Sequence, residues 1–256
     1  MAVGVPGLHC GHNEPLGRDL LDWIRERGFK IVRTDVQECT FDQIAQYSKD
    51  IVDAGLQPLC IIKSADQCDH VAPGGLIEAG NEPDLKKFGW TERSYEKMFL
   101  SVIERTQKNN QRLYGGVVSN LNKRGFNFLK GLPWKDIPAT VCCSVHRYPD
   151  GHLPTNPHDG FKSREQEVQN LRRIVGNRPL AVTEVGYHQN EWTEAEAAAN
   201  MAWERKFFAE QGFDFVIGYQ LNDGPPENTD YEAHFGFRRF NSMEWKPVAE
   251  AFVTAL

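Results

Sequence analysis

Two glutamates stand where apolar stretches of the chain give way to polar loops. Leu76-Ile77-Glu78-Ala79-Gly80-Asn81-Glu82-Pro83 runs into Glu82, and Leu180-Ala181-Val182-Thr183-Glu184-Val185-Gly186 carries Glu184. A short apolar run bounded by turn residues reads as a buried strand, which puts both carboxyls at strand ends. Facing carboxylic acids are what cleavage of a glycosidic bond needs. One, protonated, donates to the leaving oxygen, and the other, ionised, attacks or stabilises the anomeric carbon. Their surroundings must hold the two pKa values apart. A lone strand-end glutamate is more often a solvated rim residue or an ion-pair partner, so the inference needs both acids on one rim.

That requirement points to the elements that would position them. Eight short apolar runs recur along the chain: Val3–Val5, Lys30–Thr34, Gln57–Ile62, Gly75–Gly80, Leu113–Ser119, Thr140–Val145, Pro179–Thr183 and Phe213–Tyr219. Between them lie helical patterns. Thr40…Gln43, Ser163…Gln166 and Thr193…Glu196 fit the capping box that opens a helix, and Gly55, Gly176 and Gly212 suit the positive φ of a helix end. Leu16, Leu20, Leu21 and Ile24 form one apolar face, as do Ala198, Met201, Ala202 and Phe208. Ser64–Pro73 leaves room for little more than a turn, so the third unit is reduced. Strand, loop and helix repeated eight times in 256 residues, with no linker or composition break, predict an α/β protein. It is expected to be a compact (β/α)8 (TIM) barrel occupying residues 1–256 as a single catalytic domain. An open doubly wound sheet would more often carry a glycine-rich phosphate turn after its first strand, and Gly4-Val5-Pro6-Gly7 is not one. In such a barrel the chemistry belongs at the C-terminal strand ends.

Asn81-Glu82-Pro83 after the fourth strand and Thr183-Glu184-Val185-Gly186 after the seventh resemble the paired signatures of the clan A glycoside hydrolases, the retaining (β/α)8 superfamily. The likeness spans nearly the whole chain as strand order, but only short segments as literal motif. It implies that Glu82 is the general acid/base, Glu184 the nucleophile, and Asn81 a partner of the sugar 2-hydroxyl. It further implies that Arg33, ending the second strand, keeps the nucleophile ionised, and that His146 and Tyr148, after the sixth, flank it. Taken singly, Arg33 could be a rim ion pair, His146 and Tyr148 packing residues, and Asn81 a turn former before Pro83. One departure concerns the sugar platform. Members of the clan usually end strand eight with a tryptophan, whereas this chain reads Gly218-Tyr219-Gln220-Leu221. Gln220 would replace stacking by hydrogen bonds, or Tyr219 would point inward. Trp192, Trp90, Tyr231 and Phe235 are further stacking candidates from the loops.

The expected activity is therefore a metal-independent retaining hydrolysis of a β-linked oligo- or polysaccharide, with no cofactor. Short βα loops would leave the rim open and favour internal cleavage. Two other readings are weighed against it. His9, Cys10, His12 and Glu14 follow the first strand and could hold a divalent ion, with Asp35, Glu38 or His146 as further donors. Asn13-Glu14-Pro15 also mimics the acid motif, without an apolar run before it. Alternatively, the barrel could bind sugars without cleaving them, but such a protein would be expected to lose one of the acids.

A net charge of −6 argues against a nucleic-acid footprint, and no stretch is apolar for long enough to span a bilayer. The start of the chain lacks a leader pattern, but a removed leader leaves no trace, so localisation stays open and secretion remains compatible. Six cysteines without a CxxC give neither a disulfide scaffold nor a zinc ribbon, and their redox state is not legible. A monomer is the expectation, since chemistry between two carboxyls needs no second subunit.

Overall fold

The computed structural model describes residues 3–12, 16–158 and 160–256. The strands are β1 (Val5–His12), β2 (Ile31–Asp35), β3 (Gln57–Ile62), β4 (Leu76–Ala79), β5 (Arg112–Val118), β6 (Cys142–Arg147), β7 (Leu180–Val185) and β8 (Phe215–Gly218). All pair in parallel in sequence order, and β8 closes on β1 to make a barrel. Helices α1 (Arg18–Glu26), α2 (Phe41–Asp53), α3 (Glu92–Lys108), α4 (Lys123–Gly131), α5 (Arg164–Val175), α6 (Glu194–Glu210) and α7 (Pro247–Val253) surround it. The (β/α)8 expectation holds, including the reduced third unit, which is a 3-10 turn over Ala65–His70.

Local signals explain where the elements start. Thr40 with Gln43 and Thr193 with Glu196 form reciprocal capping boxes, each worth about 1 kcal/mol. Ser163 caps α5 through the Gln166 N–H, but the Gln166 carboxamide turns instead to the Lys162 N–H, so that box is only half made. Gly55, Gly176 and Gly212 sit at φ 79°, 75° and 76° at the ends of α2, α5 and α6, as their positions required. Leu16 lies before α1, so the buried stripe of that helix is Leu21 and Ile24.

The first strand is the clearest correction. It spans Val5–His12, not Val3–Val5. Its sequence alternates Val5, Gly7 and His9 with Pro6, Leu8 and Cys10, and a search for continuous apolar runs passes over such a pattern. Glycine at position 7 leaves room for its neighbour on β8, since a Cβ there would stand 2.1 Å from Ile217 Cδ1 and force that side chain to shift.

Alternation along the strands divides the barrel interior into layers. Ile31, Leu59, Leu76, Tyr114, Cys142, Ala181, Phe215 and Ile217 form an apolar cluster separate from the main core beneath the helices. Two residues further along the same faces come Arg33, Glu78, Ser144 and Thr183, all buried. The interior thus turns from apolar to polar toward the C-terminal strand ends.

Candidate active site

Arg33, fully buried on β2, organises the polar layer. Its three guanidinium nitrogens serve three different acceptors. Nε donates to Glu78 Oε2 at 2.5 Å, Nη1 to Glu184 Oε1 at 2.6 Å and Nη2 to Asn81 Oδ1 at 2.9 Å. The planar fork of arginine makes these directions interdependent, so fixing one bond aims the others. His9 and His146 ring nitrogens lie 3.2 and 3.4 Å from the same guanidinium.

Glu184 lies within β7, and its other oxygen, Oε2, accepts from the Tyr148 hydroxyl at 2.5 Å. Burial by itself would raise the Glu184 pKa. The positive charges of His146, Arg33 and His9, with the Tyr148 hydrogen bond, overrule it and lower the pKa to about 2. Glu184 is therefore a carboxylate across the working pH range. His146, on β6, places Nδ1 3.1 Å from Glu82 Oε1 and 3.4 Å from Glu184 Oε2. Burial would lower the His146 pKa, but the two carboxylates, Glu184 foremost, raise it and let the ring keep its proton to higher pH.

Glu82 sits three residues past β4 at φ 41°, a left-handed conformation that costs a non-glycine residue roughly 1–3 kcal/mol. The loop is pinned from the far side. Asp84 accepts from the Ser119 N–H and hydroxyl at 2.8 and 2.7 Å, and from Arg124 Nε at 3.1 Å. Tyr95, from α3, donates to the Ala79 carbonyl and accepts from the Gly116 N–H, tying the end of β4 to β5. The result brings Glu82, His146 and Glu184 together, with one side-chain donor or acceptor atom of each within 4.8 Å of the others. The Lys87 ammonium stands 3.9 Å from Glu82 Oε2 at the mouth.

Above this cluster opens a cleft of about 760 Å³, lined among others by Asn81, Glu82, Tyr148, Glu184 and Tyr219. Five of the sequence candidates do not line it: Arg33 and His146 are fully buried, and Trp192, Trp90 and Gln220 are held elsewhere. Trp192 packs edge-on against Tyr187 at 5.6 Å, and Trp90 packs edge-on against Tyr95 at 5.8 Å, so both indoles pin loops to the core. Gln220 donates to the Glu232 carbonyl at 2.9 Å and lines a separate surface hollow. The inward residue at the end of β8 is Tyr219, whose ring stacks on His9 at 5.3 Å and whose hydroxyl donates to Glu232 at 3.1 Å. Tyr231 and Phe235 do line the cleft, together with Phe88, which is 40% exposed.

The sequence reading missed Glu78 and Asp84 as site residues, and Phe88 as a cleft wall. Glu78 carried a signal: a carboxylate inside an apolar strand run, on the same face as Leu76. Phe88 carried none.

Among the described residues the rival metal constellation does not come together. His9 points into the barrel against Arg33, while Cys10 points outward into the core under the helices and its Sγ–H donates to the Leu8 carbonyl. Asn13, Glu14 and Pro15 lie outside the described residues, as does the His12 side chain. Among the described residues, the group spaced to hold a cation is Glu82, His146 and Glu184 itself. There the Arg33 guanidinium at 2.6 Å already supplies the positive charge that a metal would bring, and it would repel one.

No protein-family model matches the chain, and no curated protein matches it. Solved structures do share its fold. A family 39 glycoside hydrolase from the gut symbiont Bacteroides cellulosilyticus superposes over 100% of this chain at TM-score 0.69 and 16% identity. This chain spans only 64% of the length of that protein. A subgroup II endo-β-1,3-glucanase of family GH128 from Sorangium cellulosum matches over 98% of both chains at TM-score 0.69 and 12% identity. Thermotoga maritima Cel5A, solved with cellobiose, matches over 97% of both at TM-score 0.67 and 12% identity. The chain thus shares its (β/α)8 barrel fold with these glycoside hydrolases. At these identities the likeness is one of fold, and function has to be argued from the site.

Proposed function

We propose that the protein is a retaining glycoside hydrolase acting on a β-linked oligo- or polysaccharide, with residues 1–256 forming one catalytic barrel. The observation that carries this reading is the spacing of the two carboxyls at the mouth. An oxygen of Glu82 and an oxygen of Glu184 lie within 4.8 Å of each other. Double displacement calls for carboxyls roughly 5–5.5 Å apart, whereas an inverting enzyme leaves roughly 6.5–9.5 Å for an attacking water. The electrostatics agree, since His146, Arg33, His9 and the Tyr148 hydrogen bond outweigh burial and hold Glu184 ionised, as a nucleophile must be.

In the first half-reaction Glu184 attacks the anomeric carbon while Glu82 protonates the leaving oxygen. In the second, Glu82 takes a proton from water, which releases the sugar from Glu184. Asn81, fixed by Arg33, is placed to bond the 2-hydroxyl. Tyr219, rather than Trp192 or Gln220, forms the platform beneath the reacting sugar. The open cleft favours internal cleavage of a polymer, and the glycoside hydrolases that share the fold support a glycan substrate.

Glu184→Gln is expected to remove nearly all turnover and Glu82→Gln about 10²–10⁴-fold, measured against a panel of β-glucans, xylans and mannans with circular dichroism to confirm folding. Full activity in either variant defeats the proposal. Azide should rescue Glu184→Ala and give a glycosyl azide of inverted configuration. Rescue with retained configuration would exchange the two roles.

A further inference from the structure

The double-displacement reading uses Glu82 and Glu184 and leaves unexplained a further buried carboxyl, Glu78, which shares the Arg33 guanidinium with Glu184. Glu78 lies on β4, paired with Ile61 of β3 and Tyr114 of β5. Its side chain is fully buried, as is that of Arg33. One oxygen takes the Arg33 Nε bond at 2.5 Å, and the other, Oε1, has no donor among the described residues. Glu78 does not line the cleft, so it touches no substrate.

Charge conservation through the reaction gives this residue a task. In the free protein Arg33 has two counter-ions, Glu78 and Glu184. During glycosylation a Glu184 oxygen forms a bond to the anomeric carbon as the bond from that carbon to the leaving oxygen breaks. The leaving oxygen keeps the electron pair and takes the proton from Glu82. Glu184 is then an uncharged ester, and the fully buried Arg33 has lost one of its anions. A buried cation left without a partner is strongly unfavourable. Without Glu78, that penalty would grow as the transition state is approached.

We propose that Glu78 is the counter-ion that keeps Arg33 paired while Glu184 is covalently occupied, and that it holds the guanidinium in register as Glu184 gives up its charge. It is a positioning residue acting through Arg33, and this role rests on the retaining reading. Burial acting alone would lower the Arg33 pKa, but Glu78 and Glu184 together, Glu78 first, outweigh it and raise it. The fork geometry supplies the register. With Nε fixed on Glu78, Nη1 is aimed at Glu184 beside His9, and Nη2 at Asn81 beside His146. The unengaged Oε1 gives Glu78 a further acceptor site for the guanidinium when Glu184 withdraws its charge.

The test is a stability cycle joined to pre-steady-state kinetics. Glu184→Gln mimics the uncharged ester and Glu78→Gln removes the counter-ion, each leaving Arg33 one anion. Each single variant should lose only a few degrees of Tm, and the double variant should lose far more than their sum or fail to fold. An additive double variant overturns the proposal. This readout needs no activity, so it stands even if no β-glycan is hydrolysed and the glycosidase reading falls. If Glu78→Gln alone does not fold, Glu78→Asp decides. A folded aspartate variant supports a requirement for charge, and failure of both overturns it in favour of a packing role. On an activated glycoside, Glu78→Gln should slow glycosylation at least tenfold, leave deglycosylation unchanged or faster, and shrink the burst, while Glu78→Asp recovers part of the loss. Equal slowing of both steps, or no recovery with aspartate, overturns the counter-ion role.

Discussion

Arg33 and Arg164 are both buried, and each is paired with two carboxylates, yet they are built for different ends. Arg164, the first residue of α5, presents its fork to a single acid, with Nη1 and Nη2 each 3.0 Å from a different oxygen of Glu204 on α6. Its Nε lies 2.8 Å from Glu167, and its guanidinium lies 4.9 Å from the Phe207 ring. It also reaches the Pro154 carbonyl at 2.5 Å, and Glu167 accepts from the His158 N–H, so the pair clamps the loop after β6 onto the helices. Arg33 splits its fork among Glu78, Glu184 and Asn81. Bidentate pairing satisfies both oxygens of Glu204, which suits a permanent strut. Single bonds leave Glu184 Oε2 beside Tyr148 at the edge of the cleft, where it can react. Two anions on one cation therefore make a clamp where the site is sealed, and a charge reserve where it opens.

Substitutions should separate the two arginines. The largest effect is expected from Arg33→Lys. A compact ammonium cannot aim three bonds at once, so kcat/KM should fall by about 10³-fold, in keeping with the roughly 2.7–4 kcal/mol lost when one oriented transition-state hydrogen bond is removed. A fall of less than tenfold would mean that the fork geometry is dispensable. Arg164→Met should do the reverse. Leaving Glu204 and Glu167 buried without their cation should cost about 3–5 kcal/mol, seen as a Tm drop on the order of 10 °C for a chain of this size, with turnover per folded molecule nearly unchanged. Loss of turnover without loss of stability would erase the distinction.

Tyr148→Phe gives a smaller and pH-dependent effect. The hydroxyl helps to lower the Glu184 pKa, so its loss should raise that pKa and move the acid limb of kcat/KM upward from near pH 2. The sign for stability follows. Because the folded pKa of Glu184 is depressed, its ionisation stabilises the protein above the ordinary carboxylate range, near pH 4.5, and the benefit disappears as pH falls toward 2. Tyr148→Phe should shrink that contribution, measured by urea unfolding at pH 3 and pH 6. The smallest effect belongs to Trp192→Phe. Its indole packs on Tyr187 away from the cleft, so KM should change less than threefold, whereas Tyr219→Ala should raise KM clearly.

Much of this molecule was legible in the chain. Eight apolar runs separated by capped helical patterns led to the barrel, because strand burial and helix capping are local signals read from neighbouring residues. The reduced third unit was visible because Ser64–Pro73 is too short for a helix. Glu82 and Glu184 stood out because carboxylates at the ends of apolar runs are conspicuous. Reading failed where position depended on alternation or on distant partners. Val5–His12 was cut short because Gly7 and His9 break the apolar run while keeping the period of two. Trp192 reads as a cleft residue from its loop position and Gln220 from its place at the end of strand eight, and nothing local to them says that Tyr187 and the Glu232 carbonyl take them away.

The sequence by itself determined the order of strands and helices, and which side chains carry charge at the ends of the strands, since both follow from patterns a few residues long. Only closure of the barrel decided which of those charges meet. Arg33, Asn81, Glu78 and Glu184 come from three strands and the loop after one of them, and the direction of each guanidinium bond is set by the stagger between strands. That stagger is a property of the closed sheet, and no segment of the chain contains it.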